Sequence, residues 1–319
     1  MEKQNHSSEH VLWKIYNKVG ILIVLIVLMI GITVMTPKFM TANNLLTVLR
    51  QISFITIIGM GGMLVIITGG IDLSPGSIVG VVSVVSVTVL NMGAGLILSL
   101  LSGIAVGLVC GLINGIFVAI IKIPSFIATL GMMEMARGVA LLVTKGRPIS
   151  VTDDRYIFLG VGSLGPIPVP IIVMIVICIV LYIVLVHTPY GRRIMALGGN
   201  AQAAKISGIN VGGYILSIYV AAGFLAAITS ILMTGRLASG QPSLGEGYEM
   251  DGIAAAVIGG TSLAGGVGSV WGTLCGALVI GVINNGMDLL SISSYWQKII
   301  KGAIIILAVV LDQMKNRKE

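Results

Sequence analysis

Charge is what this sequence has least of. Of 319 residues, 10% are Asp, Glu, Lys or Arg and 56% are hydrophobic, with a mean hydropathy of +1.06. That balance excludes a soluble globular domain of this length and implies a polytopic membrane protein. The runs Val19–Pro37, Gln51–Ile71, Leu73–Ile121, Ile206–Gly235 and Gly252–Met287 carry no charged residue at all, and about 20 residues suffice for one crossing. Cysteine and histidine are scarce too. Cys110, Cys178 and Cys275 lie inside apolar blocks without a CxxC spacing, and His6, His10 and His187 are scattered; neither a disulfide framework nor a metal-ligand set follows from them. No GxxxxGK[ST] phosphate loop and no Ser/His/Asp or Cys/His arrangement occurs, so the chain does not bind and split nucleotide in that manner. If ATP drives what it does, another chain must supply it. The formal charge of +7 gathers at the two ends and in one loop, which fits membrane-flanking segments and not a nucleic-acid surface.

What is present can be threaded through a bilayer. The apolar block after Lys3, Lys14 and Lys18 runs to Met35 and ends in Thr-Pro-Lys without a small-residue cleavage site, so it reads as a retained first span. Basic residues mark the cytoplasmic side: the arm 1–19, the loop 188–212 with Arg192, Arg193 and Lys205, and the tail 314–319. Between them, a membrane domain over 20–313 is predicted to cross near 20–36, 45–68, 76–91, 96–120, 124–143, 168–187, 213–233, 247–261, 267–284 and 297–313. The expected fold is all-α with about ten transmembrane helices and both termini cytoplasmic. The eighth crossing is the short one, because a Gly-rich run, GGTSLAGGVG (259–268), interrupts it; a re-entrant segment there would leave nine. Gly111-Leu-Ile-Asn114 recurs as Gly281-Val-Ile-Asn284, in opposite orientations under the ten-span threading, which suggests an inverted internal repeat.

Polar groups inside apolar segments are costly and mark the candidates. Asp72 and Ser74, in ITGGIDLSPGS (67–77), read either as a capped turn or as a gate beside a pathway, with Ser74 as helix cap and Pro75 in the first turn. Asn114, Asn284 and Asn285 either line that pathway or bridge helices. Glu134 and Arg137 are three apart on one helix face and are expected to pair as a structural couple. Arg236, Glu246, Glu249 and Asp251 form an acidic outer edge with one cation, read as a docking surface or as a solvated loop.

Several long motifs resemble one family. GGIDLSPGSIVG (69–80), FIATLGMMEMARG (126–138), TPYGRRIMALGGNAQAAKISGIN (188–210), GYEMDGIAAAVIGGTSLAGG (247–266) and NNGMDLLSISSYWQKIIKGAIIILAV (284–309) are similar to the membrane permeases of ribose-type ABC sugar importers. The resemblance implies a type II ABC importer-like, ten-helix permease of the bacterial inner membrane. Such a permease works as a homodimer, receives sugar from a periplasmic binding protein and is driven by a cytoplasmic ATPase subunit with tandem nucleotide-binding halves. No cofactor is expected in this chain, since that partner binds ATP and Mg. The family's contact with its ATPase is a short helix in the loop after the sixth span. Here that corresponds to Asn200, Ala201, Gln202, Ala203, Ala204, Lys205, Ile206, Ser207 and Gly208. Asn200 is a good N-cap and Gly208 a natural terminator for such a helix. The three tryptophans, Trp13, Trp271 and Trp296, lie far apart and offer no aromatic platform for sugar, which fits recognition by a separate binding protein. The other reading is an ion-gradient-driven secondary transporter, with Asp72 or Glu134 and Arg137 as the coupling site.

Overall fold

The computed structural model describes the backbone of residues 5–316 and the side chains of residues 20–310. The lysines and arginine of the predicted arm and tail (Lys3, Lys14, Lys18, Lys315, Arg317, Lys318) lie outside those described side chains. In chain order the helices are α1 (Asn5–Met35), α2 (Ala42–Ile67), α3 (Pro75–Val89), α4 (Leu96–Ala119), α5 (Ser125–Thr144), α6 (Asp154–Val161) and α7 (Val169–His187). They continue as α8 (Pro189–Gly199), α9 (Ala201–Ile206), α10 (Val211–Leu237), α11 (Tyr248–Ile258), α12 (Val270–Leu289) and α13 (Ser294–Asn316). Two short antiparallel pairings, Ile149–Ser150 with Ser239–Gly240 and Ser163–Leu164 with Ile167–Pro168, tie the loops.

Seven helices among the described residues are long and apolar enough to cross a membrane: α2, α3 with its extension to Ala94, α4, α5, α7, α10 and α12. The described side chains of α1 form a shorter apolar stretch, Gly20–Met35. α2 is the centre of the bundle, with 89% of its most apolar window buried, and it packs against α7, α10, α11 and α12. Much of α4 instead faces outward, through Ile97, Leu98, Leu101 and Val109, as a lipid-facing helix should. Glycine decides how close the inner helices come. A Cβ on Gly107 would sit 2.5 Å from the Gly223 carbonyl oxygen, and one on Gly223 only 2.2 Å from that of Gly107. The α4 and α10 backbones therefore touch directly, the contact that small residues make possible in a membrane.

The segment expected to make the short eighth crossing is helical over only part of its length. α11 has 11 residues, about 16 Å at 1.5 Å per residue, roughly half the hydrocarbon thickness. The chain before it is not helical: Ser239–Gly240 form a two-residue strand and residues 242–247 a run of turns. Gly240 lies against Ser83 and Val87, Pro242 against Gly80, and Gly245 against Gly76. The segment thus runs antiparallel along α3 for 11 helical residues, again about 16 Å, before α11 begins at Tyr248. α11 then continues in the same direction, with Ala255 against Gly276 and Gly259 against Gly272 of α12.

Candidate functional site

Two buried polar clusters and one exposed helix emerge from the candidate residues. The first cluster surrounds the chain break between α2 and α3. Gly69 adopts φ +79°, a conformation that glycine reaches without steric cost, and Pro75 starts α3 because its missing N–H and fixed φ suit a first turn. Asp72 is 4% exposed and accepts hydrogen bonds from the Ser74 N–H at 2.9 Å and the Ser74 hydroxyl at 2.6 Å. Asn114 Nδ2 donates to Ser74 Oγ at 2.9 Å. Hydroxyls of α5 serve the broken backbone: the Ile71 N–H donates to Ser125 Oγ at 3.0 Å and that of Leu73 to Thr129 Oγ1 at 3.2 Å. The expectation that the Ser74 side chain caps α3 is corrected here. Its hydroxyl makes no capping bond, because the Asp72 carboxylate, two residues back, takes it. Asn114 Oδ1 is buried without a hydrogen-bond partner among the described residues.

The second cluster joins α11, α12 and α13. Asp251, also 4% exposed, pairs with Lys301 Nζ at 2.8 Å and accepts from Asn284 Nδ2 at 3.2 Å. Asn285 exchanges a reciprocal pair of amide hydrogen bonds, 2.9 and 3.0 Å, with Asn44 of α2. The four residues grouped as an outer docking edge therefore do not share one surface. Asp251 is inside and paired. Glu249 Oε1 accepts from the Gly247 N–H at 3.2 Å, while its Oε2 is buried where a Cβ on Gly76 would collide with it. The Arg236 guanidinium lies over the Phe54 ring, 5.7 Å from its centroid. Glu246 is exposed, 3.7 Å from Lys298.

Glu134 and Arg137 do not make the direct pair that their spacing suggests. Arg137 Nη1 donates to the carbonyls of Pro242 and Leu244, in the run of turns before α11, and no ion pair joins it to Glu134 among the described residues. The physical reason is supply. In these turns the Gln241, Ser243 and Gly245 carbonyls accept backbone N–H groups, while those of Pro242 and Leu244 are left to the guanidinium, which has five donors.

The exposed helix is α9. Asn200 (φ −158°, ψ 98°) caps it, its Oδ1 accepting from the Ala203 N–H at 2.9 Å. Gly208 (φ +81°) ends it, with its N–H donating to the Lys205 carbonyl at 3.0 Å. Of its residues only Ala204 is buried, and Ile206 is 83% exposed. Preceding α8 is anchored to α10 by a 2.6 Å bond between the Tyr190 and Ser217 hydroxyls and by Arg193 donating to the Tyr214 hydroxyl at 2.9 Å. Burial pushes the Tyr190 phenol above its ordinary range.

A junction that the sequence did not single out sits directly before α9. A Cβ on Gly198 would lie 1.7 Å from the Ile67 carbonyl oxygen, and one on Gly265 would lie 2.7 Å from the Gly198 oxygen. Gly266 N–H donates to the same Ile67 carbonyl at 2.8 Å. Three segments thus meet backbone to backbone: the end of α2 beside the Asp72 break, the end of α8 beside α9, and the loop after α11. The glycine doublets at 198–199 and 265–266 were the available signal.

A family model described as the branched-chain amino acid transport system / permease component matches residues 44–309. The chain is 41% identical over 299 residues to the ribose import permease protein RbsC of Escherichia coli strain K12, covering 92% of this chain and 93% of the relative. It is 42% identical over 304 residues to RbsC of Bacillus subtilis strain 168, covering 95% and 94%. With the L-arabinose ABC transporter permease protein AraH of Azospirillum brasilense it shares 33% identity over 306 residues, covering 96% and 90%. No solved structure matches it.

Proposed function

Because the chain belongs to the family of branched-chain amino acid transport system permease components, we propose that it is the membrane-spanning subunit of an ATP-driven importer that carries ribose or a similar monosaccharide. In this reading it has ten spans with both termini cytoplasmic, and it works as a pair of identical copies. A periplasmic sugar-binding protein delivers the solute, and a cytoplasmic ATPase with tandem nucleotide-binding halves binds ATP and Mg. The permease itself is not an enzyme.

The observation that carries the motor contact is α9. It is a capped helix, exposed on every side but that of Ala204, set between two anchored helices and next to the three-way backbone junction. When the partner's lobes close on ATP, α9 moves with them. The junction passes the displacement to the Asp72 break on one side and to the loop below α11 on the other, and alternating access follows as a rigid-body rearrangement of the two copies. The inverted repeat has support of the same kind. Asn114 of α4 donates to Ser74 at the head of α3, and Asn284 of α12 donates to Asp251 in the first turn of α11. In both halves, an asparagine of the later helix donates to a side chain at the start of the helix before it.

Reconstitution tests the reading. Liposomes holding the permease and ATPase are expected to accumulate radiolabelled ribose only with ATP inside and the binding protein outside. Accumulation by this chain alone, or accumulation abolished by a protonophore at constant ATP, would instead favour an ion-coupled transporter. At α9, Ala203→Trp is expected to break the motor contact, because Ala203 is exposed, and to cut uptake by about tenfold or more, as the loss of a well-packed interface residue does. Co-purification with the ATPase and uptake unchanged would reject the assignment. Ala204 is the wrong position for this test, being 4% exposed and part of the fold.

A further inference from the structure

Of the five pathway candidates taken from the sequence, Asp72, Ser74, Asn114 and Asn285 are 0–4% exposed and hydrogen-bonded into the bundle, and Asn284 is half-buried and bonded to Asp251. One charged group sits the other way round. Glu134 is exposed and is the tenth of the 20 residues of α5, about 14 Å from either end and so near the bilayer midplane. Among the described residues, no hydrogen bond or ion pair reaches its carboxylate. The neighbouring cation, Arg137, is committed to Pro242 and Leu244. α5 turns Ala128, Met132, Ala136 and Ala140 into the protein. On the opposite side, Gly131 and Gly138 stand about one turn before and after Glu134, and a Cβ added at either would meet nothing within 4 Å. The carboxylate therefore stands in a notch with little side-chain cover.

A solitary carboxylate at this depth is not a lipid-facing group; such residues face a bundle interior or a water-filled cavity. We propose that this face of α5 borders an aqueous passage between two copies of the chain, and that Glu134 accepts hydrogen bonds from the hydroxyls of the solute as it crosses. A polyhydroxylated solute leaving water needs acceptors, and an ionised carboxylate offers two oxygens that both accept. The inference rests on the reading of the chain as one of two permease copies.

The test uses the full complex with Cys110, Cys178 and Cys275 replaced by serine. Single cysteines are then placed at 131, 134 and 138, and at Leu101 and Val109, which are 55% and 52% exposed on the outward face of α4. A charged, membrane-impermeant methanethiosulfonate is expected to label 131, 134 and 138 and to leave 101 and 109 unlabelled. Labelling at 134 no faster than at 109 overturns the aqueous face. Glu134→Gln is expected to lower uptake about tenfold, the loss of a charged hydrogen bond, with Glu134→Asp recovering most of it. Uptake by E134Q within twofold of the unaltered complex overturns the solute contact. ATP-dependent uptake by the unaltered complex reports separately on the underlying reading, so the two failures are distinguishable.

Discussion

Gly198→Ala should abolish transport, while Gly199→Ala, one residue on, should leave it intact. A methyl on Gly198 would be placed 1.7 Å from the Ile67 carbonyl oxygen, whereas one on Gly199 meets nothing within 4 Å. The obstruction is main chain, so no rotamer change relieves it. Either α8 separates from α2 or the Gly266–Ile67 hydrogen bond is lost, and both disconnect α9 from the membrane domain. Uptake is expected to fall about a hundredfold or more in G198A, since misplacement of rigid elements by an ångström costs this much in comparable machinery, and to stay within about twofold in G199A, where no contact is made. Thermal unfolding of the purified permease separates the two routes of failure. A G198A protein that melts normally but does not transport has lost coupling; one that melts early has lost the junction itself. Equal uptake by the two variants would remove the junction from the mechanism.

The second large effect is expected at Lys301. Its ammonium is the cation on Asp251, whose side chain is 5% exposed against 31% for the lysine. Lys301→Ala leaves a buried carboxylate with Asn284 alone. Breaking a buried pair by removing one member costs about 3–5 kcal/mol, and the partial exposure of the lysine reduces this to about 2 kcal/mol. The readout is the melting temperature in detergent, which should drop by several degrees. The double variant Asp251→Asn, Lys301→Met should recover most of the loss, because the stranded charge is gone. If the single and double variants melt alike, the penalty lies in lost packing and not in the uncompensated charge.

These two sites also show what the sequence could and could not reveal. The crossings with uninterrupted apolar runs, such as α2, α4 and α10, are legible because composition alone dictates them. α9 is legible as well, since Asn200 and Gly208 act on backbone groups a few residues away. The segment from 239 to 258 is not. The turns before α11 leave carbonyls to a guanidinium 105 residues earlier in the chain, and no local periodicity records such a requirement. For the same reason the Glu134 and Arg137 spacing misleads. A three-residue separation brings two side chains onto one face, but it does not say that a competing pair of carbonyls waits beside the arginine. The acidic run from Glu246 to Asp251 reads as one patch, whereas a helix beginning at Tyr248 turns each of its carboxylates in a different direction.

The run of turns before α11 has one more consequence, for hydrogen exchange. In a helix each amide is held by its own neighbours, so it opens only when a turn unwinds. In this run the Leu244 and Glu246 amides are held by single turns to the Gln241 and Ser243 carbonyls, and the Gln241 N–H is held by another element, donating to Ser83 Oγ of α3 at 3.3 Å. A shift of α3 against this segment therefore releases Gln241 without unwinding any helix. The Gln241 amide should exchange at a rate that follows the transport cycle, while those of α2 and α10 beside it remain protected throughout.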